Sequence, residues 1–212
     1  RMVDPAFVES VRLRYFDTLV TSKPAEITGV HVVNIDEKAV EKYGQFPFSR
    51  DRYAAIIQNL YRRNAGLVVF NVLTPDRDRF GRDDAYVQAL KRDPVILPSL
   101  GATQTRNQPR NPGTAVIGPF DSAAFVTYPG IIANVPEVER AAAGVGIVNT
   151  LPEIDGVVRR MPMVVAYNGK LYPSLAMEVM RVAAGDSTFQ VKVNELGVEK
   201  MRIPQFGPVT TD

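Results

Sequence analysis

The sequence places five polar side chains near the predicted ends of buried strands or on a nearby turn: Asp36, Asn71, Asp76, Asn149 and Arg159. Carboxylate and amide groups just beyond the carboxyl ends of parallel strands lie where open α/β sheets bind ligands. An arginine adds a planar fork of donors that matches a carboxylate or a phosphate. This set predicts a binding site for a small polar ligand. An internal salt-bridge network is the alternative, because buried polar groups usually pair with one another.

Groups for catalysis are scarce in this chain, which has no cysteine and a single histidine, His31. These counts exclude a thiol nucleophile, a disulfide framework, an iron–sulfur cluster and a zinc site built from Cys and His. His31 lies in an apolar run, where a packed imidazole is more common than a catalytic base. The sequence has no Gly-x-Ser-x-Gly elbow and no P-loop. We therefore predict no catalytic residues and no cofactor.

Two motif matches are incomplete. The calcium-loop pattern started at Asp76 fails at its last position, which is Val87 where a bidentate Glu is required. Gly144-x-Gly146-x-x-Asn149 matches only the first half of a dinucleotide fingerprint, because the third glycine and the following helix are missing. We predict neither a metal site nor a dinucleotide site.

The composition suits one globular α/β domain. The 212 residues are 45% hydrophobic and 23% charged, which allows a buried core. The 25 basic and 23 acidic side chains leave a net charge of +2, so nucleic-acid binding is not expected. No run of about 18 apolar residues is present, and the sequence predicts no transmembrane helix.

Hydrophobic periodicity predicts alternating helices and strands. Buried strands are predicted over residues 30–36 and 67–73, on either side of a helix that Ser49 caps. Such a β-α-β unit implies parallel strands. Asp36 has a second interpretation, as the cap of the helix that follows it. Before this unit, five apolar residues at helical spacing predict an amphipathic helix over residues 5–20: Phe7, Val8, Val11, Tyr15 and Leu19.

The rest of the chain continues the alternation. Residues 99–113 have the composition of a flexible loop. The other predicted elements are helices over residues 85–92 and 174–184, and strands over residues 95–97, 114–117, 189–193 and 199–203.

Residues 144–165 predict a β-hairpin, with the turn at Asp155-Gly156 between two β-branched runs. Arg159 and Arg160 are neighbours on its second strand. Neighbouring side chains of a strand point to opposite faces, so at most one of these arginines can join a given site.

These elements predict an α/β fold, with a single domain over residues 1–212. The domain has a mixed, largely parallel central sheet flanked by helices. A long amphipathic helix over residues 1–22 precedes the sheet.

The order of the motifs resembles the CHASE2 family, the extracytoplasmic sensor domain of bacterial membrane receptors. Each matching piece is short, and their common order and spacing carry the resemblance. The pieces are Tyr15-Phe-Asp17, Val33-Asn-Ile-Asp-Glu37, Gly44-Gln-Phe-Pro-Phe-Ser-Arg50, Ala65-Gly66, Phe70-Asn-Val-Leu73, Gly146-x-x-Asn149, Asp155-Gly-Val-Val-Arg-Arg160 and Tyr172-Pro-Ser-Leu-Ala176.

Three features depart from the family pattern. Phe46 and Phe48 stand where the family usually carries tryptophans, and Asn71 stands where it usually carries an aspartate, which removes a charge from the predicted site. The family also continues beyond residues 203–207 with a glycine-rich strand segment. We expect that C-terminal part of the domain to be missing here and the sheet to be incomplete.

The resemblance implies an input domain on the periplasmic or extracellular side of a bacterial inner membrane. A membrane helix is expected before Arg1, continuous with the N-terminal helix, and further membrane helices are expected after the domain. The receptor is expected to be a homodimer with a cytoplasmic adenylate cyclase, kinase or diguanylate cyclase as output, while this domain itself is not an enzyme.

Three functions are compatible with the residues. The first is sensing of a small-molecule ligand or a partner domain. The second is a hydrolase that uses Asp36 as acid or base. The third is a dimerisation module that binds no ligand.

Overall fold

The structure is a computed structural model that describes residues 6–21, 29–194 and 197–210. The helices in these residues are α1 (Ala6–Thr21), α2 (Glu37–Tyr43), α3 (Arg50–Arg62), α4 (Asp83–Arg92), α5 (Pro136–Ala141) and α6 (Leu175–Ala183). The strands are β1 (Val68–Val69), β2 (Val95–Ala102), β3 (Thr114–Ile117), β4 (Gly130–Ile132), β5 (Gly144–Ile147), β6 (Val164–Tyr167), β7 (Lys170–Pro173), β8 (Phe189–Asn194), β9 (Gly197–Ile203) and β10 (Gly207–Thr210). Parallel and antiparallel pairs both occur, so the predicted α/β class with mixed sheets is confirmed.

The chain divides into two compact units. The N-terminal unit comprises residues 1–46 and 150–161, and the sheet unit comprises residues 47–149 and 162–212. Helices α1 and α2 belong to the N-terminal unit, and the other helices and the strands named above belong to the sheet unit. Within the described ranges, no helix has both the length and the apolar character needed to cross a membrane.

Strand β2 is the centre of the sheet unit. Ile96 is the parallel partner of both Val69 and Gly144, so β2 lies between β1 and β5. Further along, Leu100 pairs with Ile132 of the antiparallel strand β4. The first five residues of β2 are buried, as expected for a strand covered on both faces. The sequence predicted only residues 95–97 of this strand.

Helices α3 and α4 pack together at the end of β1. Tyr53 of α3 and Tyr86 of α4 are fully buried. Their rings lie 5.1 and 6.2 Å from the ring of Phe70, which directly follows β1. Both helices were predicted, because Ser49 precedes the first of them and residues 85–92 carry helical periodicity. The connection from β1 through α4 to β2 is a parallel β-α-β unit.

A second sheet has the strand order β10-β9-β8-β3. Strand β8 alternates buried Phe189, Val191 and Val193 with exposed Lys192 and Asn194, the period of a strand with one covered face. It pairs antiparallel with β9 and in parallel with β3, so the predicted strands over residues 114–117, 189–193 and 199–203 are confirmed. The predicted helix after Ser174 is also confirmed, as α6.

Strand β5 approaches helix α6 closely at two glycines. A Cβ added to Gly146 would lie 2.5 Å from the Cα of Leu175, and one added to Gly144 would lie 2.6 Å from Oε1 of Glu178. Both distances are too short for real atoms. The Gly-x-Gly spacing that resembles half of a dinucleotide fingerprint therefore serves the packing of a strand against a helix.

The strand predicted over residues 30–36 is not present. These residues have no regular secondary structure, and Val30, Val32 and Val33 are 66–82% exposed. The β-branched run has the composition of a strand, but a strand also needs a neighbour for its backbone hydrogen bonds. In the described residues no strand pairs with it. His31 is correspondingly exposed rather than packed.

The hairpin predicted over residues 144–165 is also wrong. Strand β5 pairs with β2, and the residues between β5 and β6 form no strand. The true hairpin lies one turn further along, where β6 pairs antiparallel with β7. Asn168 and Gly169 connect them with φ angles of 47° and 69°, and positive φ at both positions is what a two-residue hairpin turn requires. This Asn-Gly pair was the stronger signal.

The N-terminal helix is confirmed as α1, but its predicted apolar face is not buried. Leu13 is only 4% exposed, whereas Phe7 and Tyr15 of the predicted face are 78% and 66% exposed. The predicted loop over residues 99–113 starts later than expected, because β2 extends to Ala102.

The close approach at Gly146 predicts a large effect of one methyl group. Gly146→Ala forces β5 away from the backbone of α6, and overpacking of this kind costs about 1–3 kcal/mol. We expect the urea-unfolding midpoint to fall accordingly. Gly66→Ala is the matched control, because a Cβ there meets nothing within 4 Å, and its effect should stay within about 1 kcal/mol. Equal midpoints for the two variants would contradict the packing role of Gly146.

Candidate functional site

In the N-terminal unit, Arg159 is held between two carboxylates. Its Nε and Nη2 donate to the two carboxylate oxygens of Asp17 in α1, at 2.7 Å each. Its Nη1 and Nη2 donate to those of Asp155, at 2.8 and 2.7 Å. The Arg159 side chain is only 6% exposed. Bidentate pairs are the strong form of arginine–carboxylate contact. We call these three residues the arginine clamp, which joins α1 to residues 150–161.

A tight turn brings the side chains of Asp155 and Arg159 into contact. The Gly156 N–H donates to the Glu153 carbonyl at 2.8 Å, and the Glu153 N–H donates to the Val157 carbonyl at 3.0 Å. Gly156 has a φ of +80°, which glycine adopts without steric cost. The Asp-Gly pair identified in the sequence therefore closes a short loop that presents one carboxylate and one guanidinium together.

The clamp shifts the pKa values of its members. Hydrogen bonds from Arg159 lower the pKa of Asp155 from 3.8 to about 2, and they also lower the pKa of Asp17. The hydrogen bonds to Asp17 and Asp155 raise the pKa of Arg159. All three groups are charged at neutral pH, so two carboxylates share one guanidinium.

Arg160, the next residue, is in a different environment. Its side chain is 78% exposed and its Nη1 lies 3.4 Å from a carboxylate oxygen of Glu153. The two adjacent arginines therefore have different partners, although residues 159 and 160 do not lie in the strand that the prediction assumed.

Asp36 is the N-cap of helix α2. Its Oδ1 accepts the N–H of Ala39 at 3.0 Å, and its backbone is extended, as at a typical cap. Of the two roles considered for Asp36, capping is the one that the structure shows.

The sheet unit holds Asn71, Asp76 and Asn149 near the carboxyl ends of its parallel strands. Asn71 and Asp76 follow β1, and Asn149 follows β5. Asp76 forms an ion pair with Arg106, from the loop after β2, and the two side chains are 61% and 55% exposed. Asn149 accepts the N–H of Gly101 at 2.6 Å and donates to its carbonyl at 2.9 Å. We call the region of Asn71, Asp76, Arg106 and Asn149 the strand-end edge.

A buried polar network in the sheet unit was not predicted. Asn134, which follows β4, accepts from the N–H and the hydroxyl of Thr74 at 2.9 and 2.8 Å. Its Nδ2 donates to the Pro98 carbonyl and to Oε2 of Glu139, both at 3.0 Å. Burial raises the pKa of Glu139, which is 2% exposed. An amide after a strand was the available signal, but β4 itself was not recognised in the sequence.

The structure thus divides the five predicted residues between the units. Asp36 and Arg159 lie in the N-terminal unit, and Asn71, Asp76 and Asn149 lie in the sheet unit. Arg106, Asp17 and Asp155 were not in the predicted set. The assignment of the five predicted residues to ligand binding stays a prediction.

The side chains at the strand-end edge can form hydrogen bonds and ion pairs with a ligand. At the strand-end edge, an exposed carboxylate and an exposed guanidinium offer acceptors and donors to a polar molecule. Among the described residues, no group of three or more His, Asp or Glu side chains is arranged to hold a metal ion.

The chain was compared with models of known families. The model described as the CHASE2 domain matches residues 2–210, nearly the whole chain. No curated protein and no solved structure matched the chain.

The clamp predicts a specific loss of order in α1. Arg159→Met removes all four hydrogen bonds to Asp17 and Asp155, so amide hydrogen exchange in residues 6–21 should accelerate by roughly tenfold or more. Arg160→Met is the matched control and should leave exchange in α1 unchanged, because that side chain is exposed. Similar exchange in the two variants would argue against the clamp.

The clamp also predicts a pH dependence. Because folding lowers the pKa of Asp155, its contribution to stability is complete above its ordinary pKa of 3.8 and is lost as the pH falls toward about 2. The difference in urea midpoint between the wild type and Arg159→Met should therefore be largest at neutral pH and shrink over that interval. Other titrating groups, such as Glu139, affect both proteins and cancel. A difference that stays constant with pH would contradict this assignment.

Proposed function

The chain belongs to the CHASE2 domain family, and from this premise we propose that it is the ligand-sensing input domain of a membrane-bound signal-transduction receptor. CHASE2 domains are extracytoplasmic sensor domains of signalling receptors. They are sensors rather than catalysts, in keeping with the expectation that this domain is not an enzyme. The finer proposal is a domain on the periplasmic side of the bacterial inner membrane that controls a cytoplasmic cyclase, kinase or diguanylate cyclase.

The exposed Asp76–Arg106 pair at the strand-end edge carries the ligand proposal. Strands β1, β2 and β5 are parallel, so their carboxyl ends share one edge of the sheet, the place where open α/β sheets bind ligands. An ion pair that is more than half exposed is worth little to stability, which leaves both partners available to a competing ligand.

The chemistry of this edge favours a small molecule that carries an anionic group and hydroxyls. Arg106 offers a fork of donors to a carboxylate or phosphate. Asp76 and the exposed amide of Asn71 offer acceptors and donors to hydroxyls. Asn149 contributes indirectly, because its two hydrogen bonds to Gly101 hold the end of β2.

Arg159 has a different role in this proposal. With its side chain almost fully buried and its donors engaged by Asp17 and Asp155, it is suited to fixing α1 rather than to binding a ligand. Helix α1 is then the element that carries a change of state toward the membrane. The hydrolase alternative is less well supported, because Oδ1 of Asp36 is engaged as the cap of α2.

A thermal-shift screen with small anions, sugars and nucleotides tests the proposal. A ligand at about 100 times its Kd adds about 2.7 kcal/mol, which raises the Tm of a domain of this size by about 5–10 °C. We expect Asp76→Asn and Arg106→Met each to abolish the shift. Asp84→Asn and Arg79→Met, exposed positions on the nearby 77–84 segment, are the matched controls and should preserve it.

Two further variants locate the binding site if the ligand does not bind at the strand-end edge. Asp36→Asn and Arg159→Met should lower the Tm without removing the ligand-induced shift. If these variants abolish the shift while Asp76→Asn and Arg106→Met do not, the ligand binds in the N-terminal unit. A panel with no stabilising compound would count against ligand sensing and favour the ligand-free module.

A further inference from the structure

Helix α1 presents an exposed row of apolar side chains. Phe7 is 78% exposed and Tyr15 is 66% exposed. Val8, Val11 and Leu19 are 48%, 51% and 57% exposed. We call these five residues the stripe. They are the apolar face that periodicity predicted for this helix, and in the described structure they are exposed.

The stripe occupies one side of the helix. Phe7, Val11, Tyr15 and Leu19 follow one another at intervals of four residues, so their side chains form a continuous row. Helix α1 has 16 residues, and at 1.5 Å per residue it is about 24 Å long. The row therefore runs over most of the length of the helix.

The arginine clamp holds the opposite side. Asp17 is two residues from both Tyr15 and Leu19, and two residues correspond to a rotation of about 200° around a helix. Leu13, which is buried, is likewise two residues from both Val11 and Tyr15 and therefore lies on the same side as Asp17. Because Arg159 binds Asp17, the stripe points away from residues 150–161.

The size of the stripe is compatible with an interface. A fully exposed aromatic side chain offers about 150–250 Å² and Val or Leu offers less, so the five members expose roughly 500 Å². Apolar patches of this size are among the largest on monomeric proteins and are often functional. Two copies of the stripe facing each other would bury roughly 1,000 Å² in total, the lower end of specific interfaces. This area suits a weak dimer.

We propose that two copies of this chain pair through the stripe, with their α1 helices parallel and in register. Heptad spacing places Val8, Val11, Tyr15 and Thr18 at the seam. Thr18 fits this position because its hydroxyl already donates to the Tyr15 carbonyl at 2.7 Å, which leaves its methyl group for the partner helix.

The charges beside the stripe favour the parallel orientation. Arg12 and Arg14 lie on opposite flanks of the stripe. In an antiparallel pair each flank meets its own counterpart, so Arg12 would face Arg12 and Arg14 would face Arg14. Arg12 donates through Nη2 to Glu9 of its own helix at 2.7 Å. In a parallel pair this ion-paired guanidinium lies beside Phe7 of the other copy, where it is attracted to the aromatic ring. The pairing needs no ligand, so it is independent of the ligand proposal.

The absence of cysteine allows a direct test by single substitutions. Val11 lies on the seam, and Phe16, which is off it, is matched in exposure at 49%. Seam positions of parallel helices bring Cα atoms within the 4.4–6.8 Å that a disulfide spans. Under mild oxidation, Val11→Cys should form covalent dimers on the order of tenfold faster than Phe16→Cys. Equal rates would overturn the proposal.

Sedimentation provides a second, independent measurement. The wild type should show a concentration-dependent dimer, and Val11→Glu with Tyr15→Glu should be a folded monomer. Phe80→Glu with Phe206→Glu is the matched control, because both residues are 57% exposed and lie in the sheet unit, and it should dimerise like the wild type. A monomeric wild type would overturn the pairing. Stripe-dependent binding of a monomer to phosphatidylglycerol-containing vesicles would assign the stripe to a lipid surface instead.

Discussion

The backbone of β2 is the part of the sheet unit on which the other elements depend. Its buried residues carry donors and acceptors that water cannot reach, so they must be satisfied by neighbouring strands. Strands β1, β4 and β5 supply these partners. The two parallel neighbours bring their carboxyl ends to the same edge as that of β2, and this places Asn71, Asp76 and Asn149 there. The contact of Gly146 with the backbone of α6 then fixes the outer face of β5.

In the described part of the N-terminal unit, Leu13 is the buried apolar side chain. The contact that orders this part of the unit is charged, because Arg159 binds both Asp17 and Asp155. Such a contact is directional, whereas apolar packing is not, and it therefore determines which side of α1 faces outward. This arrangement ties the orientation of α1 to one specific side-chain contact.

Short-range sequence signals correctly predicted the elements that short-range contacts stabilise. The helices that became α1, α3, α4 and α6 were predicted from periodicity and caps, because a helix satisfies its own backbone hydrogen bonds. Asp36 as a cap is a contact over three residues and was among the alternatives considered. The strand over residues 30–36 and the hairpin over residues 144–165 failed, because a strand exists only with a partner. Composition cannot predict that β5 pairs with β2, whose partner residues lie 48 positions earlier in the chain.

The sequence by itself determined the family, the α/β class, the absence of thiol chemistry and the presence of polar groups after the strands. These follow from residue types, their order and short-range spacing. Only the tertiary structure decided that Arg159 binds Asp17, 142 residues away, and that Asp76 binds Arg106. It also decided that the apolar stripe of α1 faces outward. The reason is physical: the partner of a charged group and the cover of an apolar face come from distant parts of the chain, and a hydrophobic or charged residue does not specify which part that is.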